Sequence, residues 1–164
     1  MTIRGLHCFG MLVLVVLMSA CSSIDCPVQN IVSCVYQVSS NDSANASLPD
    51  TLNIYVIRAD GTDSLLLNRS VNTKRFELPM SHTRAVDTLL FERSTRQWVV
   101  MDTVYVAKDN HPRFESVDCQ LSYFHTITSV SCTQWGIDSV HIHQTSVNYD
   151  ASTPHLFIYF KNLP

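Results

Sequence analysis

Chemistry in this 164-residue chain would have to come from its cysteines, its histidines and a few carboxylates. Cysteines stand at positions 8, 21, 26, 34, 119 and 132. His141-Ile142-His143 puts two imidazoles on one face of an extended strand, ~7 Å apart. With His125 or His155 they could bind Zn²⁺ or Cu²⁺, although solvent-facing histidines opposite a buried Val140-Ile142 face give the same spacing. Glu115 and Asp118 precede Cys119 and could act as an acid–base pair at a suitable separation. Arg113 can equally pair with them. Gly-x-Ser-x-Gly, His-Glu-x-x-His and phosphate-loop patterns do not occur. The expectation is a non-enzyme with no cofactor and no metal.

Cys21 stands apart from the other thiols. Arg4 is the only full charge in the first 24 residues, and Cys8–Met18 is an almost wholly apolar run of eleven. That length suits an export signal and falls short of the ~20 residues a spanning helix needs. Met18-Ser19-Ala20-Cys21 follows and resembles the bacterial lipobox, with Met where Leu is more usual. Small side chains admit a peptidase to the bond before Cys21, and the thiol accepts diacylglycerol. Two or more acyl chains hold a protein stably on a membrane. The expected organisation is a signal peptide at 1–20, a lipid anchor with a short tether at 21–25, and one domain at 26–164. Ser22 rather than Asp follows Cys21. By resemblance to enteric lipoproteins, this points to the outer membrane, facing the periplasm.

Four thiols remain for the mature domain, Cys26, Cys34, Cys119 and Cys132, and they allow three pairings. Close pairs of the zinc-site kind are absent among these four. An extended chain separates Cys26 from Cys34 by ~26 Å, far beyond the ~7 Å between Cα atoms that a disulfide tolerates. Cys26–Cys119 with Cys34–Cys132 is therefore the favoured arrangement, tying the first strand to late ones.

Short alternating runs fill the rest of the chain. Thr51–Arg58 carries Leu52, Ile54 and Val56 on one face, and Asp60-Gly61 signals a hairpin into Thr62–Asn68. Arg75–Leu78 ends at Pro79. Val86–Arg93 and Gln97–Val106 form the next pair, with Trp98, Val100, Asp102, Val104 and Val106 sharing a parity. Asn110-His111-Pro112 reads as a turn, Leu121–Cys132 as a long strand, and Ile137–Val147 as a partner for His155–Lys161. No helical period is sustained. The expected fold is all-β, an antiparallel β-sandwich of eight or nine strands with immunoglobulin-like build.

Asp-Ser/Thr-aliphatic recurs six times, with hydroxyls at Ser43, Thr51, Ser64, Thr88, Thr103 and Ser139, where about one match is expected at random. It resembles an O-glycosylation acceptor of Gram-negative gut anaerobes, best placed at Ser43 and Thr51 beside the polar loop 39–50. The structural alternative is an Asp that ends a turn and a Ser or Thr that enters a strand. Trp98, Tyr105, Tyr123, Trp135, Tyr149 and Tyr159 could form a sugar-stacking platform, or fill the core.

Eleven Lys+Arg against fourteen Asp+Glu give a net charge of −3, no footprint for nucleic acid. Cys21-Ser-Ser-Ile-Asp-Cys26-Pro27, Asp60-Gly61-Thr62-Asp63-Ser64, Phe76-Glu-Leu-Pro79 with Asp87-Thr-Leu, and Phe114-Glu-Ser-Val-Asp-Cys119 together resemble an uncharacterised family of small lipoproteins from Gram-negative gut bacteria. The resemblance implies no particular activity. It implies that Cys26 and Cys119 are partners and that Cys34 and Cys132 are an addition. The expected function is that of a membrane-anchored binding or structural module with an envelope protein or glycan as partner. A glycan-binding uptake lipoprotein and, less so, a hydrolase are the alternatives.

Overall fold

The computed structural model describes residues 31–40, 46–58 and 60–163. It contains ten strands: β1 Ser33–Ser39, β2 Thr51–Ile57, β3 Asp63–Ser70, β4 Arg75–Pro79, β5 Val86–Ser94, β6 Val99–Arg113, β7 Ser122–Cys132, β8 Ile137–Ile142, β9 Ser146–Val147 and β10 Leu156–Phe160. They form a four-stranded sheet, β4-β1-β10-β8, and a six-stranded sheet, β3-β2-β5-β6-β7-β9. The all-β sandwich expected from the alternation is what forms, with ten strands rather than eight or nine.

Alternation of side chains across each strand explains the layering. On β5, Asp87, Leu89, Phe91 and Arg93 are buried; on β6, Asp102, Val104, Val106 and Lys108 are. Their neighbours in sequence face outward. One apolar core joins the layers: Tyr36, Phe76, Leu78 and Ile158 from the small sheet meet Leu52, Ile54, Phe91 and Val104 from the large one. Tyr36 stacks on Phe76 at 5.0 Å between ring centroids, and Phe91 reaches across to both at 6.2 and 6.1 Å. Such pairs add to the burial of the rings themselves.

Three local expectations are corrected. The sheet is not wholly antiparallel, because β1 runs parallel to β10. Asn110-His111-Pro112 does not turn; β6 continues through it and pairs His111 with Phe124 and Pro112 with Tyr123. β5 pairs with β6 only as far as Ala107, so Pro112 lies where β6 has one neighbour and a missing N–H is tolerated. Ile137–Val147 is two strands rather than one. β8 joins β10 in the small sheet, whereas β9 crosses to β7 in the large one. The Asp60-Gly61 hairpin forms as expected. Gly61 has a φ of +78°, and the Asp60 carboxylate accepts from both Thr62 N–H and Oγ1 at 2.9 and 2.7 Å.

Candidate functional site

Two polar clusters close the ends of the sandwich, and both are built on inward-facing aspartates. At the first, Arg93 lies between Trp98 and Phe160, its guanidinium 5.3 and 5.5 Å from their rings. It holds Asp50 at 2.6 Å and donates to the carbonyls of Gly136 and Lys161 at 3.2 and 2.8 Å. Beside it, Asp102 accepts four hydrogen bonds, from Thr133 Oγ1 and the backbone N–H groups of Trp135, Gly136 and Ile137, all within 2.7–2.8 Å. A Cβ on Gly136 would lie 2.7 Å from Val100 Cγ1, so the backbone reaches Asp102 only because residue 136 is glycine. This cluster latches the β7–β8 turn and the end of β10 to β5 and β6.

At the opposite end, Lys108 is fully buried and meets Asp87 Oδ2 at 3.2 Å. Asp87 Oδ1 takes no hydrogen bond and sits 3.9 Å from Arg84. Arg84 and Asp87 border a pocket of about 230 Å³ that Ile31, Val56, Leu66 and Met80 also line. A larger concavity of about 620 Å³ is bordered by Asp50, Thr51, Asn53, Arg69 and Arg96.

The candidate metal ligands are not brought together. His141 lies edge-on to Tyr159 at 5.5 Å and His143 packs on Phe157 at 4.9 Å. His125 is buried on β7; His155, whose carbonyl accepts the His143 N–H at 2.8 Å, is buried with its ring turned to Val35, and no group of three potential ligands occurs among the described residues. His155 instead completes the small sheet: its Nδ1 accepts the Val35 N–H at 3.0 Å, and its own N–H donates to the Val35 carbonyl at 2.9 Å. Burial holds its pKa below the ordinary histidine value. His125 Nδ1 donates to Asn110 Oδ1 at 2.7 Å, while the Asn110 amide donates to the His82 and Arg84 carbonyls. Burial, then the charge of Lys108, lowers the His125 pKa to about 4.

The cysteines require one correction. Cys34 and Cys132 are free thiols, so the expected Cys34–Cys132 bond does not form. Cys34 is buried on β1 near Tyr36 and Asp87, at the Lys108 end; Cys132 lies on β7 near Asp102, Asp138 and Lys161, at the Arg93 end. Burial raises the Cys34 pKa far above that of an ordinary thiol, which leaves it unreactive. Cys119 is disulfide-bonded. Cys26, its expected partner, lies outside the described residues, as do Cys21 and Ser43.

The recurring tripeptide gains a structural account at three places: Asp50, Asp87 and Asp102 are the carboxylates of the end clusters. Alternation then turns Thr88 and Thr103 to the outer face of the large sheet, half-buried, as is Thr51. Ser64 accepts from Arg58 at 3.0 Å, and Ser139 pairs with Tyr159. Glu115 pairs with Arg113 at 2.6 Å on the exposed β6–β7 connection, while Asp118 is exposed. Among the aromatics, Trp98 and Trp135 lie at the Arg93 end, Tyr123 and Tyr149 at the other, and Tyr105 on the face of β6, so they form no single row.

A family model described as Family of unknown function (DUF6452) matches residues 51–160. The chain belongs to this family. The DUF6452 match runs from the first residue of β2 to the last of β10. It leaves out β1, which nonetheless sits between β4 and β10 in the small sheet. Comparisons with curated proteins and with solved structures return no match. Sequence reasoning missed the end clusters. Their signal was charge where a hydrophobe is due: Asp102 on the parity of Val104 and Val106, and Asp87 and Arg93 on that of Leu89 and Phe91.

Proposed function

We propose that the protein is a lipid-anchored module of the cell envelope that binds or scaffolds without catalysis. One observation carries the reading: the apolar run Cys8–Met18 leads into Ser19-Ala20-Cys21, a thiol placed for acylation. The disulfide at Cys119 supports it, since such bonds persist in oxidising compartments. So does the economy of the tether, for β1 begins at Ser33, twelve residues beyond Cys21. Lipid on Cys21 holds the domain to the outer membrane, on the periplasmic side, in a bacterium of Gram-negative type. Ser43 and Thr51 are the hydroxyls best placed to carry a glycan.

A Cys21→Ser variant tests the anchor. It should leave the membrane fraction for the soluble one, while the parent protein stays with the membrane and resists high salt. A parent protein found soluble, or a variant that remains on the membrane, contradicts the reading.

A further inference from the structure

The connection between β6 and β7, residues 114–121, carries large apolar side chains in solvent. Phe114 is 66% exposed, Val117 84% and Leu121 44%; Ile31, beside them, is 52% exposed. Ile31 bridges to Tyr123, which pairs with Pro112, so the chain enters the domain at this same end. Glu115, paired with Arg113, and Asp118 lie between these apolar side chains; large hydrophobes gathered in solvent at one end still mark an interaction surface.

We propose that this tip docks into the lipid surface that holds the anchor, with Phe114, Val117 and Leu121 entering the headgroup boundary. The inference rests on the lipid-anchor reading of Cys21. Chain length argues for lipid as the occupant. Ile31 stands ten positions beyond Cys21, a reach of at most ~35 Å. Cys119 lies within the tip and is bonded; with Cys26 as its partner, four residues lie between lipid and tip, a reach of at most ~18 Å. The surroundings suit a membrane boundary. Arg113 lies 5.0 Å over the Phe124 ring, Tyr149 packs edge-on against Phe124 at 5.0 Å, and both carry polar heads on apolar bodies. Trp98 and Trp135 lie at the far end, near Asp102, eleven residues and up to ~36 Å along β6 from Arg113.

That separation supplies the test. The full, processed protein and its Val117→Trp variant are placed in phosphatidylethanolamine–phosphatidylglycerol vesicles whose acyl chains are brominated. Bromine quenches tryptophan only at close range. Emission of the parent protein, from Trp98 and Trp135, should be unchanged, whereas the component added by V117W should fall at least about twofold, as expected for insertion ~5–10 Å into the boundary. Adding Phe114→Ser and Leu121→Ser should restore it. Equal emission with and without bromine, or quenching undiminished in the triple variant, overturns the inference. A tip that serves a protein partner gives the unquenched result. The intact mass of the same samples reads acylation of Cys21 separately, so loss of the anchor and failure of the tip to insert are distinguished.

Discussion

Asp102 and Gly136 work as one unit. The carboxylate takes the N–H groups of three successive residues, and the glycine lets the backbone come close enough to give them. Asp102→Asn replaces an acceptor oxygen with a donor and should lower stability by about 2–4 kcal/mol. Gly136→Ala should cost about 1–3 kcal/mol through the clash with Val100. Both are read from urea midpoints at constant slope. The buried histidines set the pH dependence. Both His125 and His155 have folded pKa values below the unfolded value of ~6.5, so the folded state binds fewer protons than the unfolded chain below that pH. Their contribution to stability is complete above ~6.5 and falls away as the pH drops toward the His125 value of about 4, by up to about tenfold in the folding constant per histidine per pH unit. Denaturant titrations at pH 7, 5.5 and 4 check this; stability flat across that range contradicts it. His155 shows why such roles escape sequence reading. Its ring accepts from Val35, 120 positions away, and spacing along the chain says nothing of such a partner.

At the scale of elements, strand positions were legible wherever alternation met a turn signal. β2, β5 and the Asp60-Gly61 hairpin follow the apolar pattern directly. Two readings failed for tertiary reasons. Pro112 reads as a breaker until β6 outruns β5 and has one neighbour to satisfy. Ile137–Val147 keeps one apolar rhythm, yet β8 and β9 belong to different sheets, a division set by packing rather than period. The aromatic cluster that joins the sheets gives a prediction of its own. Phe91 is buried against both Tyr36 and Phe76, so Phe91→Ala should cost about 3–5 kcal/mol, against little for outward-facing Leu90→Thr on the same strand. The thiols give another. In the native protein Cys34 should resist a small thiol reagent while Cys132, half-buried, reacts, and unreduced denatured protein should show both. No reactive thiol after denaturation would mean that β1 and β7 are bridged.

For the whole molecule, the two-layer plan was legible because β2, β5 and β6 each hide one face, while strand order was not, because alternation fixes faces and leaves neighbours open. The parallel pairing of β1 with β10 sets the first and last strands side by side, so the chain enters at the Tyr123 end and leaves at the Arg93 end. The bond at Cys119 sits at the end where the chain enters. On the proposed anchor at Cys21, that arrangement would hold the sandwich close to a membrane with its Arg93 end turned away. The central claim is the lipid on Cys21. Its most direct test is the intact mass of protein extracted from membranes. The account predicts a chain that begins at Cys21 and carries the added mass of its acyl chains. A mass that begins at Met1, or a Cys21 without lipid, contradicts it.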